Sequence, residues 1–368
     1  MSVADRVVNF GAGPSALPLT VLEEAQKGLI NFNGTGIGIA EISHRSKEFQ
    51  AFLTEFEQNL RTQLEVPSTH RILFTQGGGT TQFSAVVLNM IARHRLLHPN
   101  ATAENTVLDY VVTGSWSKKA AEEARRLTAG VATVRTAVDA RVYAKDGKAF
   151  DNIPPHAEFA FSPAPAVIYY CENETVDGVE FAHDAGAPAS FPFARLPAAP
   201  LLPLVADYSS SFMCRPIPRL ADHAVIYAGA QKNIGPAGLT ILIVREDCVV
   251  DVDAAARLGA PPPVQHPAVL PIYVAGLVVR RMGEQGGIPY YEALNRRKSQ
   301  KLYAAIHEGE QNGVFRRKKR FLEGAEAEGM KGLKGHRSVG GIRVSLYNAV
   351  TEEDVDKIIA YMNSFMQK

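Results

Sequence analysis

Between residues 18 and 246, short runs of β-branched and aromatic residues alternate with amphipathic stretches, and no other feature restricts the chain as much. The runs at residues 71–75, 108–113, 166–171, 201–206, 224–228 and 239–245 are almost continuously apolar. A strand reads that way when both of its faces are covered, as happens in parallel sheets flanked by helices. The stretches at 82–95 and 117–127 have helical spacing and lie between such runs. An α/β fold with a mostly parallel sheet follows. Only ten residues, among them Gly235-Pro236-Ala237-Gly238, separate the last two runs. That interval is too short for a crossover helix, so this pair is expected to be antiparallel.

A proline-rich segment at 259–271 breaks the rhythm and marks the expected domain boundary. Beyond it the pattern predicts helices at 272–285, 290–308, 317–327 and 352–366, with a strand at 342–346: a smaller α+β domain. Residues 92–106 are polar and read as a surface loop. Arg316-Arg317-Lys318-Lys319-Arg320 reads as a solvated helix start beside Glu323 and Glu326; a nucleic-acid or targeting patch is the alternative. A length of 368 residues suits two or three domains. The net charge of +1 gives no electrostatic case for nucleic acid or an anionic membrane. No apolar run reaches the roughly 18 residues of a membrane helix. The N-terminus lacks a secretory pattern, and Cys171, Cys214 and Cys248 form no metal-ligand spacing. Reduced thiols and a cytoplasmic location are therefore expected.

In parallel α/β sheets ligands gather beyond the carboxyl ends of the strands, so what each strand delivers there matters most. The first run leads into Gln76-Gly77-Gly78-Gly79-Thr80-Thr81 and then a helix. Such a sequence can wrap an anion at a helix N-terminus, or simply turn tightly; it matches neither the Walker nor the dinucleotide fingerprint. The second run ends in Gly114-Ser115-Trp116, with the only tryptophan of the chain. This residue can stack on a planar ligand or anchor a core. The third ends in the polar cluster Glu172-Asn173-Glu174-Thr175, and the fourth in Asp207, which can pair with a protonated heterocyclic nitrogen or cap a turn. The fifth leads through Gly229-Ala230-Gln231 to Lys232. A desolvated lysine is an amine nucleophile toward carbonyls. Together these are the parts of a pyridoxal-phosphate (PLP) site: a Schiff-base lysine, a carboxylate for the pyridinium nitrogen, a stacking aromatic and a phosphate cradle.

At these residues the chain resembles the phosphoserine aminotransferase family. The similarity lies in VVNFGAGPS, ISHRSKEF, FTQGGGTTQFSAV, DYVVTGSWSKKAAEEA, YYCENETVDGVEF, AGAQKNIGPAGLTILIVRED and GLKGHRSVGGIRVSLYNAV, spread in order over residues 7–350. The resemblance implies a fold-type I PLP transferase whose large domain (16–258) holds a mostly parallel seven-stranded sheet. Residues 1–15 and 272–368 would form the small domain, joined by 259–271, and the protein would be a homodimer with shared active sites. It further implies that Lys232 carries PLP and moves the proton, and that Asp207 faces the ring nitrogen. Trp116 would stack on the ring and Thr175 would approach its phenolic side. Gly79, Thr80 and Gln231 would hold the phosphate, although many relatives have an arginine where Thr80 stands. Arg343 would grip the substrate α-carboxylate. His44 and Arg45, from the partner subunit, with His336 and Arg337, would meet the distal anion. No metal is implied. The expected reaction moves an amino group between glutamate and 3-phosphohydroxypyruvate.

Two family features are missing. Relatives carry a Ser-Leu-Tyr-Asn-Thr-Pro type segment after the strand ending Val244-Arg245-Glu246, whose Asn and Thr reach the other subunit's cofactor phosphate. Here Ala260-Pro261-Pro262-Pro263-Val264-Gln265-His266 offers no such pair. Relatives also have an Arg-Ser-x-Met-Asn strand where Asn312-Gly313-Val314-Phe315 runs into the basic stretch. These deletions motivate an alternative, a fold-retaining relative with impaired PLP binding or catalysis. A desulfurase-like lyase of the same fold would need a cysteine in an exposed glycine-rich loop, which none of the three occupies.

Overall fold

The computed structural model describes residues 6–258, 269–311 and 318–366. A short strand β1 (Val8–Asn9) is followed by helices α1 (Leu19–Ile30) and α2 (Lys47–Gln63). Then come β2 (His70–Gly77), α3 (Gly79–Leu97), β3 (Val107–Val112), α4 (Ser115–Leu127) and β4 (Thr133–Asp139). After an irregular return the chain enters β5 (Val167–Cys171), the small hairpin β6 (Asn173–Glu174) and β7 (Val179–Glu180), and then β8 (Leu204–Asp207). Strands β9 (His223–Gly229) and β10 (Gly238–Arg245) complete the sheet, followed by α5 (Val252–Arg257), α6 (Val269–Glu284) and α7 (Gly287–Gln311). Helix α8 (Lys318–Ala327), strand β11 (Met330–Lys331) and α9 (Glu352–Met366) close the described chain.

The main sheet has seven strands in the order β2-β10-β9-β8-β5-β3-β4. Every neighbouring pair is parallel except those of β10, which runs antiparallel to both β2 and β9. The expected seven-stranded sheet and antiparallel pair are thus found. The seventh strand, β4, escaped the apolar-run pattern because it lies at the sheet edge, with Thr133, Arg135 and Thr136 exposed. Alternation explains the apolar runs. On β5, Ile168 and Tyr170 join the core shared with α2 and α6, while Val167 and Tyr169 join the one under α3 and α4. Both faces are buried, so both sets must be apolar. Helix α4 packs through Ala120, Ala121 and Ala124, small enough to sit close on the sheet.

A third core gathers Phe10 with Leu302, Phe321, Met330, Leu333, Val355, Ile358 and Tyr361, and is bound by the β1–β11 pair. The N-terminal segment is therefore built into the C-terminal unit. Ile272, Leu277 and Met282 of α6 and Ile288 and Leu294 of α7 pack instead into the first core. Leu302 and Ala305 of α7 belong to the third core, so this helix contributes to both.

Other expectations are corrected. Residues 342–346 form no strand: a single bridge joins Ile342 to Lys334 and Arg343 N–H donates to Leu333 O at 2.8 Å. β11, the one strand nearby, is two residues long and already pairs with β1. The start of the expected loop 92–106 is helix, because α3 runs on to Leu97. Ala92, Arg93 and His94 are buried there, and Arg93 Nε donates to Asp247 Oδ2 at 2.9 Å. The fourth strand starts at Leu204, after Pro203, which lacks the N–H a central strand needs. Most of the segments that replace the two missing family features, 259–268 and 312–317, lie outside the described residues.

Lys298 of α7 ties these parts together. It is 0% exposed, and its Nζ donates to Leu346 O, Tyr347 O and Val350 O at 3.3, 3.0 and 2.8 Å. An ammonium ion taken out of water needs such a set of acceptors. Replacing it strands two buried carbonyls and one half-buried one, so Lys298→Met is expected to lower the unfolding free energy by about 3 kcal/mol. Urea denaturation followed by far-ultraviolet circular dichroism measures that loss.

Candidate active site

Strands β2, β5, β8 and β9 run in the same direction, and their carboxyl ends deliver polar groups to one edge of the sheet. Asp207, the last residue of β8, is 6% exposed, and its Oδ1 accepts the Ser209 N–H at 2.8 Å. Ser209 Oγ in turn accepts the Gly229 N–H at 3.1 Å, linking the ends of β8 and β9. Lys232 follows β9 in a turn covered by the N-terminal segment: Ser15 N–H donates to Gln231 O at 2.9 Å, and Ser15 Oγ donates to Lys232 O. Burial lowers the proton affinity of the Lys232 amine. Asp207, then Cys171 and Glu174, oppose that shift, and Arg343 adds to it. The structure therefore joins Lys232, Asp207 and Arg343 in one electrostatic cluster, although Arg343 lies 111 residues further along the chain.

Trp116 opens α4 beside them. Its ring centroid is 5.9 Å from Lys232 Nζ and 4.6 Å from Lys119 Nζ, and its indole N–H donates to Thr175 Oγ1 at 3.2 Å. Trp116 and Thr175 thus form a linked pair. Glu174 anchors the backbone below the ring: its two oxygens accept the Trp116 and Ser117 N–H groups at 2.8 Å each. Asp177 Oδ2 accepts the Ser115 N–H at 2.6 Å. Burial pushes the Glu174 carboxyl up to about 7, against the pull of these bonds.

The glycine-rich turn ends in the N-terminus of α3, which no side chain caps. Gly77 has φ +115°, a conformation open to glycine. A Cβ on Gly79 would point toward Asp207 Oδ2 and Ser209 Oγ, 3.7 Å from each, so the bare backbone leaves a cradle beside the carboxylate. Gln231 Oε1 and Arg343 Nε are buried and have no hydrogen-bond partner. An uncapped helix end, an open cradle and two orphaned polar atoms around a desolvated lysine fit a ligand that carries a phosphate and a carbonyl-reactive centre.

His336 sits in the loop before Arg343. Its Nδ1 lies 2.6 Å from Ser338 Oγ. Burial lowers its proton affinity, and the charges of Arg343, Lys119 and Arg337 lower it further, so these cations gather near it. Thr80 and Arg337 are exposed. His44 and Arg45 lie in the turn before α2, where the bonds described are Gln50 Nε2 to His44 O and Arg45 N–H to Ser43 Oγ. Within one chain those bonds lead to no other residue of the site. Sequence reasoning passed over Glu174 and Asp177 because their partners are backbone N–H groups some 60 residues away. The polar cluster after β5 was the one signal for Glu174.

With this geometry in place, the chain can be assigned: it belongs to the class-V aminotransferases, whose family model matches residues 7–320. It is similar to two proteins named phosphoserine aminotransferase. That of Hahella chejuensis is 40% identical over 391 residues, and that of Pseudomonas entomophila 38% over 389, each with 99% of both chains covered. Both alignments run longer than the 368 residues of this chain, as expected where relatives carry segments absent here. A solved PLP-bound phosphoserine aminotransferase from Trichomonas vaginalis superposes with a TM-score of 0.79 at 30% identity, covering 97% of this chain and 100% of that one.

Gly114 tests the local packing. A Cβ there would fall 2.3 Å from Glu174 Cγ. Gly114→Ala is expected to destabilise the protein by about 2 kcal/mol through overpacking, read as a lower urea midpoint at unchanged slope.

Proposed function

We propose that this chain is a PLP-dependent phosphoserine aminotransferase. The reaction is reversible amino transfer between L-glutamate and 3-phosphohydroxypyruvate, giving O-phospho-L-serine and 2-oxoglutarate in serine biosynthesis. The observation that carries this reading is a single cluster holding a desolvated Lys232, the Asp207 carboxylate, the Trp116–Thr175 pair and Arg343, whose buried Nε has no partner. Bound PLP supplies an electron sink for the charge that develops at the substrate α-carbon.

The chain's own residues divide the remaining work. Lys232 would hold the cofactor through its amine and, once released, accept and return the α-proton; a lowered proton affinity suits both tasks. Asp207 would keep the ring nitrogen protonated, and its bond from Ser209 fixes the carboxylate for that role. Trp116 would cover the ring face and Thr175 its phenolic edge. Gly79 and Thr80 at the open end of α3, with Gln231, would hold the phosphate. Arg343 would take the α-carboxylate as a planar fork. His336 and Arg337 would meet the distal phosphate or γ-carboxylate, together with His44 and Arg45 of a second copy. This division of labour makes the expected assembly a homodimer with shared active sites. The presence of Lys232, Asp207, Trp116 and Arg343 in the chain supports an active enzyme over an impaired relative. Burial of Cys171 and Cys248 argues against thiol chemistry. Among the described residues no helix is long and apolar enough to cross a membrane; the location proposed here is cytoplasmic.

Three outcomes test this reading. PLP added to the purified protein should produce a visible absorbance band that glutamate converts to the pyridoxamine spectrum. Lys232→Ala should show neither; no band in the wild type would sink the proposal. Arg343→Lys, which loses the fork, should raise the KM for glutamate about tenfold or more in steady-state assays. The rate of PLP capture should rise with pH along the ionisation of the Lys232 amine. Its midpoint should lie below the ordinary lysine value of 10.5, and Asp207→Asn should move it lower still, because that carboxylate favours the charged amine.

A further inference from the structure

Three consecutive N–H groups open α4, those of Ser115, Trp116 and Ser117, and each is taken by a carboxylate of the β6–β7 hairpin. No residue of α4 provides those carboxylates. Asp177 accepts the first, and the two oxygens of Glu174 accept the second and third. Glu174 is 0% exposed, so it is held in place at the cost of desolvating a carboxyl group. The fit is close: Gly114 has no room for a Cβ against the Glu174 side chain. The arrangement fills the α4 N-terminus, so that helix end is closed to an external anion. The neighbouring end of α3 carries no side-chain cap.

The same residue lies next to the chemistry. Its charge reaches Lys232, and the next residue, Thr175, takes the Trp116 indole N–H. The tryptophan is therefore gripped twice from one hairpin, by its backbone through Glu174 and by its ring through Thr175. An ordinary helix cap would stabilise α4 without regard to where the indole lies. Here the cap is attached to the residue whose ring faces the lysine amine.

We propose that Glu174 is a positioning residue for the cofactor pocket, clamping the Trp116 and Ser117 N–H groups so that the tryptophan ring is fixed against Lys232. The proposal rests on the reading of Trp116 as the aromatic wall of a PLP site. Glutamine in its place can accept only one of the two N–H groups and turns a second donor toward the other. Aspartate keeps the charge but is one methylene too short to reach both.

Trp116 is the only tryptophan, so intrinsic fluorescence reports this ring alone. Emission is recorded for wild type, Glu174→Gln and Glu174→Asp, without PLP and during PLP titration, with far-ultraviolet circular dichroism as the control for folding. In the wild type PLP should quench the emission. In folded Glu174→Gln the cofactor-free emission should shift, and half-quenching should need about tenfold more PLP, with Glu174→Asp between the two. Wild-type emission and quenching in folded variants would overturn the positioning role and leave the PLP reading standing. Absence of quenching in the wild type would overturn the reading of Trp116, and this proposal with it. Should Glu174→Gln fail to fold, Glu174→Asp decides by the same criteria.

Discussion

A sheet covered on both faces has few places for polar side chains other than its strand ends, and this constraint organises the whole molecule. Along β5, β8 and β9 nearly every inward position is apolar, so charged groups collect where the strands stop. Asp109 in β3 is an exception that keeps the rule: its oxygens are met by the Ser162 N–H and hydroxyl. Because the strands are parallel, their carboxyl ends lie on one edge. Asp207, Glu172, Glu174 and the turn bearing Lys232 become neighbours without any further device.

Assembly of the site depends on chain segments that the sheet does not contain. The N-terminal residues cross over Lys232 through Ser15 and anchor in the third core through Phe10. From the other end of the chain, Lys298 and Asn348 secure the loop that carries Arg343. Asn348 N–H donates to Asn233 Oδ1, next to the lysine, and its Nδ2 donates to Met213 O. The third core thus acts as a bracket that brings an arginine to a lysine already placed by the sheet.

Electrostatics then give each group its task. Burial lowers the proton affinity of the lysine, and the acidic groups around it temper that shift. The tryptophan is held by a buried glutamate. The positive charges of Arg343, Lys119 and Arg337 gather around His336 and lower its proton affinity. Acidic groups around the amine and basic groups toward the loop make a polarity suited to a zwitterionic substrate with an extra anion.

The alternation of apolar runs determined the α/β class, the antiparallel pair and the strand ends at which Lys232, Asp207, Trp116 and the glycine turn appear. Those features are local, since burial on both faces and the residue after a strand are written in consecutive positions. The edge strand β4 was not legible, because an exposed strand need not be apolar, and 342–346 read as a strand although it has no ladder to join. What only the tertiary structure decided is non-local: the charge of Arg343 acting on Lys232, α7 shared between two cores, and Glu174 closing α4 across 57 residues of chain. Each of these requires partners whose separation in sequence carries no periodic signal, so packing alone could place them.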